Sequence, residues 1–363
     1  MYYDKELRAI RKSGRYRERI LYSEDLVDFA SNDYLGFSKK EEILKKALQR
    51  VLKEKIHSPR ASMLVNGYHK IHAEFEEYLS SINRFEACMV VGSGFMANMA
   101  LLETLPRKKD IILLDSEYHA SGVLAAKKSD AKVIFFRHND VAHLEEILKN
   151  EEYNRAIVGV EGIYSMSGDL VKKEIFDICD RFEALLIVDE AHSVGVVGEN
   201  LLGVYDLYEI EPKENHIKMG TLGKAIGSYG AYILSSLHVR EFLINRAKSV
   251  IYTTAPSLIE CAVAKESFSS LLANKADIKR EIKIREEIVK EEFGVELDGL
   301  IFPFKVDSNG DVLKLRDILL TEGYLVGAIR APTVEFPILR IIPNLGESSI
   351  AFRNFSTVLK EIS

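Results

Sequence analysis

Cysteine and long apolar runs are scarce in this chain of 363 residues. Its three cysteines, Cys88, Cys179 and Cys261, include no CxxC pair. That scarcity excludes a disulfide scaffold and a zinc ribbon, and it is typical of a reducing compartment. The longest uncharged stretch, Ala87 to Leu102, is interrupted by a glycine turn and is shorter than the roughly 20 apolar residues of a membrane span. We therefore expect no membrane segment and a cytoplasmic protein.

An excess of positive charge is also missing. The chain has 49 basic and 55 acidic side chains, a formal net charge of −6. A mildly acidic protein lacks the basic field that captures nucleic acid or an anionic membrane, so we expect neither as a partner. Any anionic ligand must instead meet a local cluster of cations or amide dipoles.

The pattern from residue 86 onward predicts the fold class. Short, nearly continuous apolar runs such as ACMVV, DIILLD, RAIVGV and ALLIVD alternate with helical segments, as in βαβ units with both faces of the sheet covered. We expect an α/β protein with a mostly parallel central sheet. A helical N-terminal arm (1–38) precedes a large domain (39–270), and helices and strands after residue 270 predict a small α+β C-terminal domain (271–363).

Candidate chemical groups follow the apolar runs, where the carboxyl ends of parallel strands gather ligands. Asp189 and His192 close one strand in ALLIVDEAHSVG, and Lys224 follows another in KMGTLGKAIGSYG. His119 follows DIILLDSE, and VVGSGFMAN is a strand, a glycine turn and a helix start. Each has a structural alternative: a helix cap or salt bridge for the aspartate, a solvated lysine, a structural histidine.

Together these groups indicate one cofactor, pyridoxal 5′-phosphate. Amides at a helix start can cradle its phosphate, and a lysine can form a Schiff base with its aldehyde. A buried aspartate favours a protonated ring nitrogen, since an adjacent anion stabilises the cation. No metal is expected.

The motifs also resemble a known family over nearly the whole chain. SNDYLGF, VVGSGF, SEYHAS, EGIYSMSGD, VDEAHSVGVVGE, TLGKAIGSYGA, YTTAPS and AIRAPTV occur in this order and are similar to the α-oxoamine synthases, which are pyridoxal phosphate enzymes of fold type I. The resemblance implies a transferase that condenses an amino acid with an acyl thioester and releases carbon dioxide and free thiol. It also implies a homodimer whose active site is shared between the two subunits.

The resemblance assigns roles to individual residues. Lys224 would be the Schiff-base lysine and the base for the α-proton, and Asp189 would pair with the pyridinium. His192 would hydrogen-bond the phenolic oxygen of the ring, and His119 would stack on the ring face. The phosphate contacts would be the amides of Ser93, Gly94 and Phe95, the hydroxyl of Thr221, and Thr253 or Thr254 reaching from the partner.

Substrate contacts follow from the same resemblance. Arg340, in ILRII, would bind the amino-acid carboxylate, with Arg330, in AIRAPTV, as the competing candidate. Asn32, Ser165 and Glu161 would line the reaction centre, although Asn32 could equally cap its turn and Glu161 could pair with a backbone amide.

Within the family, AIRAPTV and VNGYHKIH favour the branch that joins L-alanine to a pimeloyl thioester, giving 8-amino-7-oxononanoate in biotin biosynthesis. Met63, where that branch has arginine, and a shortened run before Arg340 depart from its pattern. The alternatives are a glycine-using member such as a glycine C-acetyltransferase, an aminotransferase, and a non-catalytic cofactor-binding regulator. The donor, pimeloyl-CoA or a pimeloyl carrier protein, stays open. An acidic carrier would need basic residues such as the N-terminal Lys5, Arg8, Arg11, Lys12, Arg15 and Arg17.

Overall fold

A seven-stranded sheet lies at the centre of the protein in the computed structural model, which describes residues 2–14 and 16–363. The strands are β1 Val27–Asp28, β2 Ala87–Val91, β3 Ile111–Asp115, β4 Lys132–Phe136, β5 Ala156–Glu161, β6 Leu185–Asp189, β7 His216–Thr221, β8 Ala231–Ser235, β9 Phe302–Lys305, β10 Tyr324–Leu325, β11 Gly327–Ile329 and β12 Ile338–Ile341. The central sheet has the order β2-β8-β7-β6-β5-β3-β4, in which β8 alone runs antiparallel to its two neighbours. The expected α/β fold with a mostly parallel sheet is confirmed.

Helices surround this sheet and join its strands. They are α1 Asp4–Lys12, α2 Glu41–Leu52, α3 Lys70–Asn83, α4 Gly94–Asn98, α5 Ala120–Ala126, α6 Val141–Asn150, α7 Glu174–Arg181, α8 Val204–Leu207, α9 Leu237–Arg246, α10 Lys248–Ile251, α11 Leu258–Ala273, α12 Lys275–Phe293, α13 Asn309–Thr321 and α14 Ser349–Ile362. A short 3₁₀ turn, Phe37–Lys39, and two π-helical turns, Met63–Gly67 and Met99–Glu103, complete the helical segments. Among the described residues, no helix combines the length and apolar character needed to cross a membrane.

Alternate residues of β3 show why the central strands are apolar throughout. Ile111 and Leu113 pack into one buried cluster, whereas Ile112 and Leu114 pack into a second cluster on the opposite face. Side chains of a strand point alternately to the two faces, so a strand covered on both sides has no position left for solvent. In β3 the one polar residue, Asp115, therefore stands at the carboxyl end, and the candidate residues Glu161 and Asp189 likewise end their strands.

The C-terminal region forms two small sheets beside the large one. Strands β11, β12 and β9 form an antiparallel sheet, and β1 pairs in parallel with β10. Phe29, directly after β1, packs in a third buried cluster with Phe352 and Phe355 of α14. The segment predicted as an N-terminal arm therefore contributes a strand and a core residue to the C-terminal part of the fold.

A half-buried histidine links the ends of β3 and β4 to the loop after β5. His138 Nδ1 lies 2.9 Å from Asp115 Oδ1, and its Nε2 lies 2.9 Å from Asp169 Oδ2. Burial alone would lower the pKa of His138, but the two carboxylates outweigh it and raise this pKa to about 10. Both ring nitrogens therefore donate, and the ring has no lone pair for a metal ion, although Glu117, His138 and Asp169 are close enough together to suggest one.

We predict that this imidazolium stabilises the fold in a pH-dependent way. Its folded-state pKa of about 10 lies above the ordinary value of 6.5, so its contribution is complete below about pH 6.5 and is lost as the pH rises through 10. His138→Gln should lower the free energy of unfolding by about 1–3 kcal/mol at pH 6, and the deficit should shrink towards pH 10. Urea unfolding of both proteins at several pH values measures it, with the exposed His57→Gln as the control. A deficit that does not vary with pH would contradict the assignment.

Candidate active site

A cavity of about 200 Å³ lies at the carboxyl ends of β5, β6 and β7, facing the start of α4. Several predicted residues line it: Gly94, Phe95, His119, Glu161, Asp189, His192, Thr221 and Lys224. Asn98, Ser121, Ala191 and Met219 complete its wall. Residues from separate strands meet here because parallel strands deliver their carboxyl ends to one edge of the sheet.

Asp189 and Glu161 are the last residues of adjacent strands, and they are register partners in the β5–β6 pair. Asp189 accepts hydrogen bonds from the Ala191 amide at 3.0 Å and from Asn98 Nδ2 at 3.3 Å. Glu161 Oε2 accepts one from the Ser165 amide at 3.0 Å, while its buried Oε1 has no partner. Burial, together with the neighbouring Asp189 charge, raises the pKa of Glu161 well above its ordinary value. Asp189 thus has donors around it and can face a cation, whereas Glu161 favours its neutral form.

The Lys224 amine points into this group of side chains. Its Nζ lies 2.7 Å from His192 Nε2. Burial lowers the pKa of Lys224 to about 8, against the opposing effect of Asp189 and Glu161. A lysine with this pKa supplies a useful fraction of neutral amine near neutral pH, the form that attacks an aldehyde or removes a proton.

Two histidines that line the cavity are held in different ways. His192 is buried, and burial together with the Lys224 charge lowers its pKa well below the ordinary value, so its ring is neutral. His119 caps the start of α5 with its Nδ1, which also lies 2.7 Å from Ser121 Oγ. Burial lowers the pKa of His119 as well. Both imidazoles therefore enter the site without adding positive charge.

The start of α4 fits the expected phosphate. The Ser93 side chain caps the helix by accepting from the Met96 amide, which leaves the amides of Gly94 and Phe95 ahead of the first intrahelical donors. A Cβ at Gly94 would lie 2.7 Å from Thr221 Cγ2, so only glycine allows this close approach. The Thr221 Oγ1 is buried and has no hydrogen-bond partner among the described residues, so it can donate to an anion here. The residues present therefore suit a phosphate group.

Arg340, in β12, does not line the cavity itself, and it is joined to the cavity residue His192 through the Tyr34 hydroxyl. It is buried and donates from Nε to the Ser165 carbonyl at 2.7 Å, from Nη1 to Asn32 Oδ1 at 2.8 Å and from Nη2 to the Tyr34 hydroxyl at 3.4 Å. The structure thus brings Asn32, Ser165 and Arg340 together. Arg330 lies elsewhere, where it donates to the carbonyl of Gly14.

Thr253 and Thr254 lie between α10 and α11 and do not line the cavity of their own chain. Their contact with a partner's phosphate stays a prediction.

Two residues that contact the candidate side chains, Tyr34 and Asn98, were not predicted from the sequence. The Tyr34 hydroxyl lies 2.5 Å from His192 Nδ1, and Asn98 donates to Asp189. Tyr118 donates to Asn98 Oδ1 at 3.0 Å, which fixes the amide with its nitrogen towards Asp189. Tyr34 lies in the motif SNDYLGF and Asn98 in VVGSGFMAN. Membership of these motifs was the sequence feature that could have pointed to both residues.

Comparison with known proteins agrees with this geometry. The model of the family described as aminotransferase class I and II matches residues 24–350. The chain belongs to this family. It is 42% identical to the 8-amino-7-oxononanoate synthase of Helicobacter pylori strain J99 over 99% of this chain and 97% of the relative. It is 37% identical to a putative 8-amino-7-oxononanoate synthase of Aquifex aeolicus, over 91% and 90% of the two chains.

Solved structures show the same architecture. The 8-amino-7-oxononanoate synthase of Francisella tularensis is 26% identical and superposes with a TM-score of 0.78 over 93% of this chain and 98% of that one. The serine palmitoyltransferase of Sphingomonas wittichii, 23% identical, gives 0.87 over 100% and 99% and supports the fold alone. The resemblance stated above is confirmed: this family member is a pyridoxal phosphate-dependent enzyme of fold type I.

We predict that borohydride will fix the cofactor of the yellow protein to the peptide that contains Lys224. Reduction converts the imine to a stable secondary amine, so the label should survive digestion and mass spectrometry should locate it. The peptide carrying Lys218, a fully buried lysine of β7 that is ion-paired with Glu190, is the internal control and should stay unlabelled. Label on another lysine, or a colourless protein that stays unlabelled with added cofactor, would contradict the assignment.

Proposed function

We propose that this enzyme condenses L-alanine with a pimeloyl thioester to give 8-amino-7-oxononanoate, carbon dioxide and free thiol, a step of biotin biosynthesis. The names of its relatives support this reaction. The observation that carries the proposal is a buried chain of contacts, in which the Arg340 guanidinium reaches the Lys224 amine through Tyr34 and His192. An amino-acid carboxylate bound by this arginine would thus be held in the same site as the Schiff-base lysine.

The hydrogen bonds of Arg340 leave room for that carboxylate. A guanidinium has five N–H groups, and the contacts to Ser165, Asn32 and Tyr34 use one each on Nε, Nη1 and Nη2. One N–H therefore remains on each terminal nitrogen, the fork that binds a carboxylate with two parallel bonds. The three existing contacts hold the fork rigid before the substrate arrives.

The other side chains then have distinct tasks. Bound pyridoxal phosphate supplies an electron sink for the α-carbon of the amino acid. Asp189 keeps the ring nitrogen protonated, since its carboxylate favours the adjacent cation. Lys224, once neutral, moves the α-proton, and its pKa of about 8 suits that exchange near neutral pH. His119 covers the ring face, and Glu161 and Ser165 line the reaction centre.

Two wider features belong to the same proposal. We propose a homodimer in the cytoplasm, with Thr253 or Thr254 completing the phosphate site of the partner.

The acyl donor is pimeloyl-CoA or a pimeloyl carrier protein. The basic residues of α1 are exposed and suit an acidic carrier, whereas Arg15 lies outside the described residues.

We predict turnover of L-alanine with pimeloyl-CoA or pimeloyl carrier protein, measured as release of free thiol and carbon dioxide in equal amounts. Comparing the two donors in one assay at low and high salt identifies the natural one, because carrier docking through basic residues weakens with salt. Robust activity only with glycine and acetyl-CoA would instead establish the glycine C-acetyltransferase alternative. Amino transfer to a 2-oxo acid without thiol release would indicate an aminotransferase, and cofactor binding without turnover a regulator.

We predict that Arg340→Lys will raise the KM for alanine and lower kcat/KM by about 10²-fold, since an ammonium cannot form the two parallel bonds. Arg330→Lys should leave the KM for alanine within about twofold, because the guanidinium of Arg330 is bonded to the Gly14 carbonyl and not to a candidate site residue. Steady-state kinetics with alanine varied at a fixed donor concentration separates the two arginines. A larger effect from Arg330 would reverse their assignment.

A further inference from the structure

The hydroxyl of Tyr34 lies between the substrate arginine and the histidine that contacts Lys224. Its neighbours are His192 Nδ1 at 2.5 Å, Asn32 Oδ1 at 3.3 Å and Arg340 Nη2 at 3.4 Å. The ring is fully buried, so water does not supply an alternative partner. A phenol has one hydrogen to donate, and the direction of that hydrogen determines how His192 is protonated.

The distances indicate where the hydrogen lies. An O–H donor typically approaches its acceptor to 2.5–3.0 Å, whereas N–H donors stand farther away, at about 2.7–3.2 Å. The 2.5 Å contact to His192 fits donation by the hydroxyl, and the 3.3 Å contact to Asn32 is long for it. Asn32 Oδ1 also already accepts from Arg340 Nη1. Arg340 can only donate, so it uses the lone pairs of the hydroxyl and turns its hydrogen towards His192.

We propose that Tyr34 is a positioning residue that sets the tautomer of His192, placing the imidazole hydrogen on Nε2, the nitrogen that faces Lys224 and the cavity. The inference rests on the cofactor roles proposed for His192 and Lys224. Neither the SNDYLGF motif nor the burial of Tyr34 by itself indicates this role in placing the His192 hydrogen.

The surrounding charges are consistent with this arrangement. Burial raises the pKa of Tyr34, with Glu161 acting in the same direction and Arg340 opposing it, so the phenol keeps its hydrogen. His192 faces Lys224, Arg340 and His119, and with burial these groups lower its pKa, which leaves one hydrogen to be placed. An Nε2–H facing Lys224 requires the lone pair of a neutral amine, and the pKa of about 8 makes this the main form of Lys224 above about pH 8.

The consequence concerns the cofactor. The phenolic oxygen that His192 is expected to contact carries negative charge, so it needs a donor and not a lone pair. The Nε2–H tautomer offers one from a ring without net charge. Because Arg340 orients the Tyr34 hydroxyl, the residue proposed to hold the substrate carboxylate is joined to the residue proposed to tune the cofactor oxygen.

The tautomer is tested directly by NMR of the full-length protein labelled with ¹⁵N-histidine, before and after loading with pyridoxal phosphate. At a pH above 8, where Lys224 is mostly neutral, the His192 signals of the wild type, assigned by their loss in His192→Asn, should show hydrogen on Nε2 and none on Nδ1. Tyr34→Phe should give a mixture of both tautomers in the unloaded protein. Hydrogen on Nδ1 in the wild type, or identical spectra for wild type and Tyr34→Phe, would overturn the proposal.

A second measurement follows the absorption band of the bound cofactor as a function of pH. Losing the oriented donor destabilises the form with more negative charge on the ring oxygen, so Tyr34→Phe should raise the pH midpoint by about one unit, a tenfold change in proton affinity. Tyr232→Phe is the matched control, since it removes a hydroxyl that is also buried but has no hydrogen-bond partner, and its midpoint should not move. Equal midpoints in wild type and Tyr34→Phe, or equal shifts in both variants, would overturn the proposal.

The two measurements also separate this inference from the proposed function. A wild-type protein without a cofactor band would refute the cofactor roles. The NMR spectrum of the unloaded protein would still test whether Tyr34 sets the tautomer of His192. A normal band with an Nδ1–H tautomer would refute the role of Tyr34 and leave the proposed reaction intact.

Discussion

Two carboxylates, Glu161 and Asp189, end adjacent buried strands, and their removal from water is the constraint on which the rest of the site depends. A buried carboxylate without partners is unstable, so the surrounding chain must supply donors or cations. Asn98 and the Ala191 amide do so for Asp189, and the Ser165 amide does so for one oxygen of Glu161. Where they are ionised, the same two groups oppose the loss of the Lys224 proton that burial favours. Their position beside Lys224 therefore acts on the charge of that lysine.

The strand-end residues could be predicted from the sequence because their signal is local. Asp189, His192 and Lys224 each follow an apolar run, and sheet geometry brings such positions to one edge. Tyr34 had no comparable signal, since it precedes the central sheet in the chain and meets His192 across 158 positions. Asn98 lies inside a helix, where an amide side chain is usually a surface feature. Both contacts arise from packing, which a single sequence does not display.

Arg330 and Arg340 also show that a single sequence does not reveal tertiary packing. Arg330 and Arg340 stand ten positions apart in the same part of the fold, each at a β-strand. Their local sequences do not decide which guanidinium turns inward. The three-stranded sheet does, because Arg340 lies in its buried middle strand β12. There its partners are Ser165, in the loop after β5, and Asn32, in the segment after β1. Likewise, β1 has only two residues, too few for an alternating apolar pattern that would predict its pairing with β10.

The segment after β1 returns from the small sheets to the catalytic site, and one backbone contact fixes its path. A Cβ at Gly36 would lie 2.5 Å from the Cα of Gly346, and the Leu345 amide donates to the Tyr34 carbonyl at 2.8 Å. Gly36 also has a positive φ of 65°, a conformation that glycine adopts most easily. Tyr34 and Arg340 belong to segments that touch here main chain to main chain, with no side chain between them to flex. The relative position of Tyr34 and Arg340 therefore depends on the lack of a side chain at Gly36, a residue that takes no part in the proposed chemistry.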